Sequence, residues 1–265
     1  MDLQIRDKVA LITGATGGMG FATAKILAEE GCRLVLSDLK TDDLQNDAES
    51  LPTEVICVAA DVTKQADVDA LARASREKFG AIDIVVHTSG ITGAKGHPLE
   101  MTDEDYREAW DIDFFSAVRM ARATFPAMRE KGWGRFVCIT SENAVQPYWD
   151  EATYNTAKAA LAAFVKNLSY QEAAHGILCN TVSPAFIETA MTDGMMEKRS
   201  KELGVSFDEA VKSFLDEERP GIVQKRRGKV EEVAAAIALV VSERGSFING
   251  SNLRVDGGSV QAVQN

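Results

Sequence analysis

No apolar run in these 265 residues approaches the roughly 18 that a membrane-spanning helix needs, so no spanning segment is expected. Positive charge is also short: 29 lysines and arginines stand against 40 acids, a net charge of −11. That balance argues against nucleic acid, whose phosphates demand a basic face, and against an anionic membrane surface. Cysteine is scarce. Cys32, Cys57, Cys138 and Cys179 lie far apart with no C-x-x-C, which points to buried free thiols, no metal site and a reducing compartment. No basic-then-apolar leader precedes the first strand-like run, so a cytoplasmic protein is expected. Nor does a Pro/Gly/Ser-rich linker, a charge block or a repeat divide the chain. Residues 1–265 read as one domain.

What the chain does contain is alternation. Short β-branched runs fall at Val9–Thr13, Leu34–Ser37, Val55–Ala59, Ile82–His87, Phe136–Thr140, Ile177–Val182 and Leu253–Val255. Amphipathic runs separate them at Phe21–Glu30, Asp42–Glu49, Lys64–Phe79, Asp103–Met128, Thr153–Ala174 and Val230–Val241. Strands alternating with helices predict an α/β fold, a single doubly wound parallel sheet with helices on both faces. Ligands of such sheets bind at the carboxyl ends of the strands, where strand order reverses.

The first strand runs into Thr13-Gly14-Ala15-Thr16-Gly17-Gly18-Met19-Gly20, and a helix follows at once. Glycines let the backbone approach a pyrophosphate, and the helix start supplies unpaired N–H groups. Asp38, at the end of the second strand, lies 18 residues after Gly20, the place for a ribose ligand. Its carboxylate can accept from a free 2′-hydroxyl and would repel a 2′-phosphate, so NAD is favoured over NADP. The alternative is that Asp38 caps the next helix. Tyr154 and Lys158 stand at i and i+4 in a helical run that Gly176 stops, so they share one face. A lysine ammonium beside a phenol favours the phenolate and lowers its pKa. The pair alone is a weak signal, and Ser141 strengthens it from 13 residues upstream.

Taken together, these pieces resemble the short-chain dehydrogenase/reductase family over nearly the whole chain. Its T-G-x-x-x-G-x-G is matched by Thr13, Gly14, Gly18 and Gly20, and its Y-x-x-x-K by Tyr154 and Lys158. Asp61-Val62 resembles the adenine-contacting Asp-Val. Asn180-Thr-Val-Ser-Pro184-Ala-Phe-Ile187-Glu-Thr189 resembles the segment that closes on the nicotinamide amide, and Arg254-Val-Asp256-Gly257-Gly258 the C-terminal V-D-G-G. The resemblance implies a Rossmann fold and hydride transfer between a nicotinamide cofactor and a small-molecule secondary alcohol or ketone. Ser141 would hold the substrate oxygen, Tyr154 would be the acid/base, and Lys158 would lower its pKa and bind the ribose. The cofactor set it implies is Gly14, Thr16, Gly17, Gly18, Met19, Gly20, Asp38, Leu39, Asp61, Val62, Ser89, Gly90, Tyr154, Lys158, Pro184, Ala185, Ile187 and Thr189. It also implies a homo-oligomer, commonly a tetramer, that pairs the two long helices through small residues such as Ala157, Ala160, Ala162 and Ala163.

Departures from the pattern carry information. The family's N-N-A-G is His87-Thr88-Ser89-Gly90 here, and Ala185 replaces the glycine after Pro184. His87 reads as a satisfied strand-end histidine. Asp113 stands where the family has a fourth catalytic residue, an asparagine whose main-chain carbonyl anchors a relay water. An acid can keep that relay, or stabilise the Lys158 ammonium and change the pH profile, or turn to solvent or to an arginine elsewhere.

Specificity belongs to the loops above the nicotinamide. Residues 188–224 break the alternation and place Met191, Met195, Met196, Phe207, Val211, Phe214 and Leu215 at helical spacing, a substrate lid or two short helices packed on the body. Tyr148, Trp149 and residues 93–97 are expected at the pocket mouth, and Glu142 is unusual beside Ser141. The expected substrate contacts are Ser141, Tyr148, Trp149, Met191 and Met195. The pattern is nearest to members labelled 3-oxoacyl-thioester reductases. An acyl carrier protein is strongly acidic, which fits this acidic chain badly unless Arg122, Arg129 and Lys131 form a local basic patch. A non-catalytic NAD(H)-binding regulator is the reading from a different class.

Overall fold

A strand buried on both faces must lie inside a covered parallel sheet, and β1 (Val9–Thr13) is buried at every position. The computed structural model describes residues 2–263, so Met1, Gln264 and Asn265 of the expected 1–265 domain lie outside the described residues. β2 (Arg33–Asp38), β3 (Val55–Ala59), β4 (Ile84–His87), β5 (Gly134–Ile139), β6 (Ile177–Pro184) and β7 (Asn252–Val255) complete a seven-stranded sheet in the order β3-β2-β1-β4-β5-β6-β7. Every pairing is parallel. The chain winds outward from β1 to β3, then returns to place β4 beside β1. The crevice at that reversal is where such sheets bind ligands. This is the Rossmann-type architecture that the alternation predicts.

Two apolar layers cover the sheet. On one face, α1 (Gly18–Glu29), α2 (Asp42–Ala48) and α9 (Val230–Val241) bury Ala24, Leu27, Leu44, Val233 and Ile237 against the strands. On the other, α3 (Gln65–Phe79), α5 (Ser116–Lys131) and α6 (Ala152–Glu172) bury Leu71, Met120, Phe125, Leu161 and Val165. The long run expected over 103–128 is α4 (Asp103–Trp110) joined to α5 through a π-turn, Asp111–Phe115. The π-turn widens the helix locally and turns Asp113 fully inward. Residues 188–224 form α7 (Ala190–Leu203) and α8 (Phe207–Glu217), which close a third apolar cluster of Phe186, Met196, Phe214, Leu215 and Ile222.

The cysteines are all free: Cys32, Cys138 and Cys179 are buried and Cys57 is half-buried. Burial pushes the Cys32 thiol up to about 12, where it is inert as a nucleophile. Among the described residues, no helix is long and apolar enough to cross a membrane, and no group of acids, histidines and cysteines could hold a metal.

Candidate active site

The turn after β1 forms because Gly14 takes a left-handed backbone, φ +64°. A β-carbon there would lie 2.8 Å from Thr88 Oγ1 and 2.9 Å from the Ser89 nitrogen, so the turn and the end of β4 close only around a glycine. No side chain caps α1, which leaves its first N–H groups available to an anion. A groove of about 590 Å³ runs along this edge, lined by Gly14, Thr16, Gly17, Gly18, Met19, Gly20, Asp38, Leu39, Asp61, Val62, Ser89, Gly90 and Thr189. Thr88, Ile91 and Ile112 join them. Ile112 had no linear signal, because only the π-turn carries it to the groove.

Asp38 does not cap α2, whose N-cap residue is Thr41. One carboxylate oxygen, Oδ2, accepts from the Thr16 hydroxyl at 2.5 Å and the Thr16 N–H at 3.1 Å, and Oδ1 accepts from the Leu39 N–H at 2.8 Å. The acid thereby ties the glycine-rich turn to the end of β2. Asp61 spends its carboxylate on its own turn: hydrogen bonds from Thr63 and the Lys64 ion pair at 3.0 Å hold it below the usual carboxylate range.

The groove meets a second cavity, of about 180 Å³, at the first turns of α6. Ser141, Tyr154 and Lys158 line this cavity together, with Pro184, Ala185 and Ile187 on its far side. The Lys158 ammonium is buried 5.5 Å from the Tyr154 ring centre and donates to the Ile139 carbonyl at 3.1 Å. Its counterion is Asp113, with Oδ1 at 3.1 Å. Asp113 therefore turns neither to solvent nor to an arginine. Burial alone would lower the Lys158 pKa, but Asp113 and Tyr154 raise it, and the net direction is up. The Tyr154 phenol is pushed up by burial; Lys158 pulls it down and Asp113 pushes it up again. The expected lowering by Lys158 is thus present but outweighed. Ser141 Oγ donates to Asn143 Oδ1 at 2.9 Å and accepts from the Asn143 N–H at 3.3 Å. Asn143, which the sequence did not single out, is held in turn by Glu151 and Asn155. His87 is the satisfied histidine expected, with Thr13 at 2.8 Å and Ser116 at 2.7 Å on its two ring nitrogens. Burial pushes it down to about 3, which favours the neutral ring.

The cavity beyond Ser141 is polar on one wall and apolar on the other. Phe186, Met191, Met195 and Phe214 form the apolar wall. Opposite stand Glu142, Glu151, Lys95 and Arg219. Arg219, which follows α8, reaches Glu151 at 2.9 Å and Glu142 at 3.7 Å, and its guanidinium stacks 3.5 Å over the Tyr148 ring. Lys95 pairs with Glu151 at 2.6 Å. Burial works against the Glu151 charge, but Arg219 and Lys95 hold its pKa below the usual range. Glu142 does not face solvent; it is buried, accepts from the Tyr148 hydroxyl at 2.9 Å, and burial pushes its pKa up. Tyr148 therefore stands behind the wall rather than in it, and burial with the Glu142 charge pushes its phenol to about 12. Trp149 is 77 % exposed and does not line the cavity. Of the three residues that could form a local basic patch, Arg129 pairs with Glu172 and Lys131 with Asp83.

A family model described as Enoyl-(Acyl carrier protein) reductase matches residues 14–260. The chain belongs to the short-chain dehydrogenase/reductase family. Among curated relatives of this family, "Uncharacterized oxidoreductase YvrD" of Bacillus subtilis is 31% identical over 265 residues, covering 99% of this chain and 100% of the relative. The 3-oxoacyl-[acyl-carrier-protein] reductase FabG of Escherichia coli is 30% identical, covering 97% of this chain and 98% of its own. Among solved structures, L-sorbose reductase from Gluconobacter frateurii, complexed with NADPH and L-sorbose, is 34% identical with a TM-score of 0.93, covering 99% of this chain and 100% of that one. Levodione reductase is 29% identical with a TM-score of 0.88, covering 96% of this chain and 98% of its own. An oxidoreductase that binds a nucleotide cofactor follows from membership of this family.

Proposed function

We propose that the protein is an NAD(H)-dependent oxidoreductase that interconverts a small secondary alcohol and its ketone, with Tyr154 as acid/base. The observation that carries this reading is the meeting of Ser141, Tyr154 and Lys158 where the nucleotide groove opens into the small cavity. The cofactor set named from the sequence fits such a dinucleotide: the backbone at Gly14 is bare, the start of α1 is uncapped, and Asp38 stands at the ribose end. A bound nicotinamide dinucleotide supplies or takes up the hydride. In reduction Ser141 holds the carbonyl oxygen by a hydrogen bond, and Tyr154 gives it a proton. In oxidation the phenolate takes the hydroxyl proton. Lys158 stabilises that phenolate by its charge.

Asp38 favours NADH, since its carboxylate would repel a 2′-phosphate, whereas the sorbose reductase was solved with NADPH. The polar wall of Glu142, Glu151, Lys95 and Arg219 suits a hydroxylated ketone or polyol, and the structural likeness to the sorbose reductase agrees. Every cation of that wall already pairs with an acid, which leaves none for an anionic substrate. A 3-oxoacyl-thioester reductase is the second reading, favoured by the FabG relatives. A cavity of about 180 Å³ with a charged wall accommodates a long acyl chain poorly. α7 and α8 act as the lid over this cavity. Incubation with NAD and a panel of polyols and other secondary alcohols should form NADH, and Tyr154→Phe should abolish it. Turnover that survives Tyr154→Phe, or a panel with no turnover despite tight NADH binding, would overturn the reading.

A further inference from the structure

We propose that Asp113 is a positioning residue that acts through Lys158: its side chain fixes the ammonium directly and offsets the lysine's field on the Tyr154 hydroxyl, which sets the site for ketone reduction. This rests on the reading of Tyr154 as the acid/base. The geometry comes from three places in the chain. The π-turn after α4 points the Asp113 carboxylate into the protein, where it has no exposure. Its Oδ1 accepts from the Ile91 N–H at 3.1 Å and pairs with Lys158 at 3.1 Å, while Oδ2 is buried without a partner. Gly90 makes the approach possible, since a β-carbon there would stand 2.5 Å from Asp113 Oδ1 and 3.1 Å from Lys158 Nζ.

An asparagine at this position is neutral and leaves the lysine's field on the tyrosine undiminished. The aspartate puts a carboxylate 3.1 Å from the ammonium; burial works against its charge and Lys158 favours it, and that charge raises the phenol as well. The ionisable groups around the pair are few. From α6 come Tyr154 and Lys158, from β4 the neutral His87, from β5 the protonated Cys138, and from the loop before α6 Glu151. Lys158 and a hydrogen bond from Ser141 favour the phenolate; burial, Asp113 and Glu151 oppose it. A phenol that holds its proton at neutral pH is a ready acid: its O–H bond breaks as the substrate carbonyl oxygen gains the proton. The reverse reaction must wait for the phenolate, so oxidation gains rate only toward alkaline pH.

The test compares wild type with Asp113→Asn and Asp113→Ala, the second in case the amide disturbs the fold. In both variants the alkaline limb of kcat/KM for alcohol oxidation with NAD should move down by about one pH unit, a gain of roughly tenfold at any pH below it. A readout without cofactor is the tyrosinate absorbance that disappears in Tyr154→Phe. It should titrate above about pH 10 in wild type and lower in the Asp113 variants. A limb and a phenol titration that stay in place, or move up, would overturn the role of Asp113. If Tyr154→Phe retains turnover, the reading of the site falls first. If that variant is inactive and the limb does not move, only this inference falls.

Discussion

At Asp38, Oδ2 is taken up by Thr16, while Oδ1 accepts only the Leu39 N–H and retains capacity toward the groove. One side chain thus ties down the glycine-rich turn and, on the proposed reading, disfavours a 2′-phosphate. Asp38→Ala should weaken NADH binding about tenfold, about 1.4 kcal/mol, and bring NADPH affinity closer to it. Fluorescence titration with both nucleotides measures the ratio, and an unchanged ratio would leave Asp38 with the turn alone. The sequence made Asp38, the glycines and the Ser-Tyr-Lys set legible, because backbone chemistry forces those residue types at those spacings. It placed Lys95, within 93–97, at the pocket mouth, where it stands, and left Asn143 and Arg219 unread. Asn143 is reached by a bend in the backbone, and Arg219 reaches the cavity from a loop far from Ser141 in sequence.

Among the elements, the segment 188–224 shows how apolar spacing reveals helices but not their attachment. Its methionines and phenylalanines predict two short helices packed on the body, and α7 and α8 are those helices. Beside the apolar cluster with Phe186 and Ile222, an ionic tie joins the segment to the body: Arg219 bridges Glu142 and Glu151, both buried. Removing one partner from a buried pair leaves an uncompensated charge, which costs about 3 kcal/mol. Arg219→Ala should therefore lower stability by about that amount in urea unfolding, speed proteolytic cutting between 188 and 224, and raise KM more than it lowers kcat. Unaltered proteolysis and KM would show that the segment is held by its apolar cluster alone. The π-turn was equally hidden. Residues 103–128 read as one helix, and nothing in the apolar period marks where an extra residue widens the coil to aim Asp113 inward.

For the whole molecule, an apolar hollow of about 980 Å³ lies on the outside of α4, the π-turn and α6, lined by Tyr106, Trp110, Ile112, Phe115 and Thr156. Phe115 in its lining is 44 % exposed. Exposed aromatic faces of this kind mark association surfaces, and this one lies on α4 and the π-turn with Thr156 of α6, within the runs through which the family resemblance implies pairing. The same helices carry Asp113 and Tyr154, so association through this face would brace the site from behind. Phe115→Asp should shift the protein to smaller species in light scattering after size exclusion, and an unchanged mass would remove this face from the assembly. In the proposed reaction Tyr154 moves the proton while a nicotinamide cofactor moves the hydride. The most direct measurement is NADH formation by wild type and Tyr154→Phe on the same secondary alcohol, with NADH binding checked in both. Wild-type turnover lost by at least a thousandfold in the variant, roughly 4 kcal/mol of transition-state stabilisation, with cofactor binding kept, is the predicted result. Equal turnover in the two proteins would contradict it.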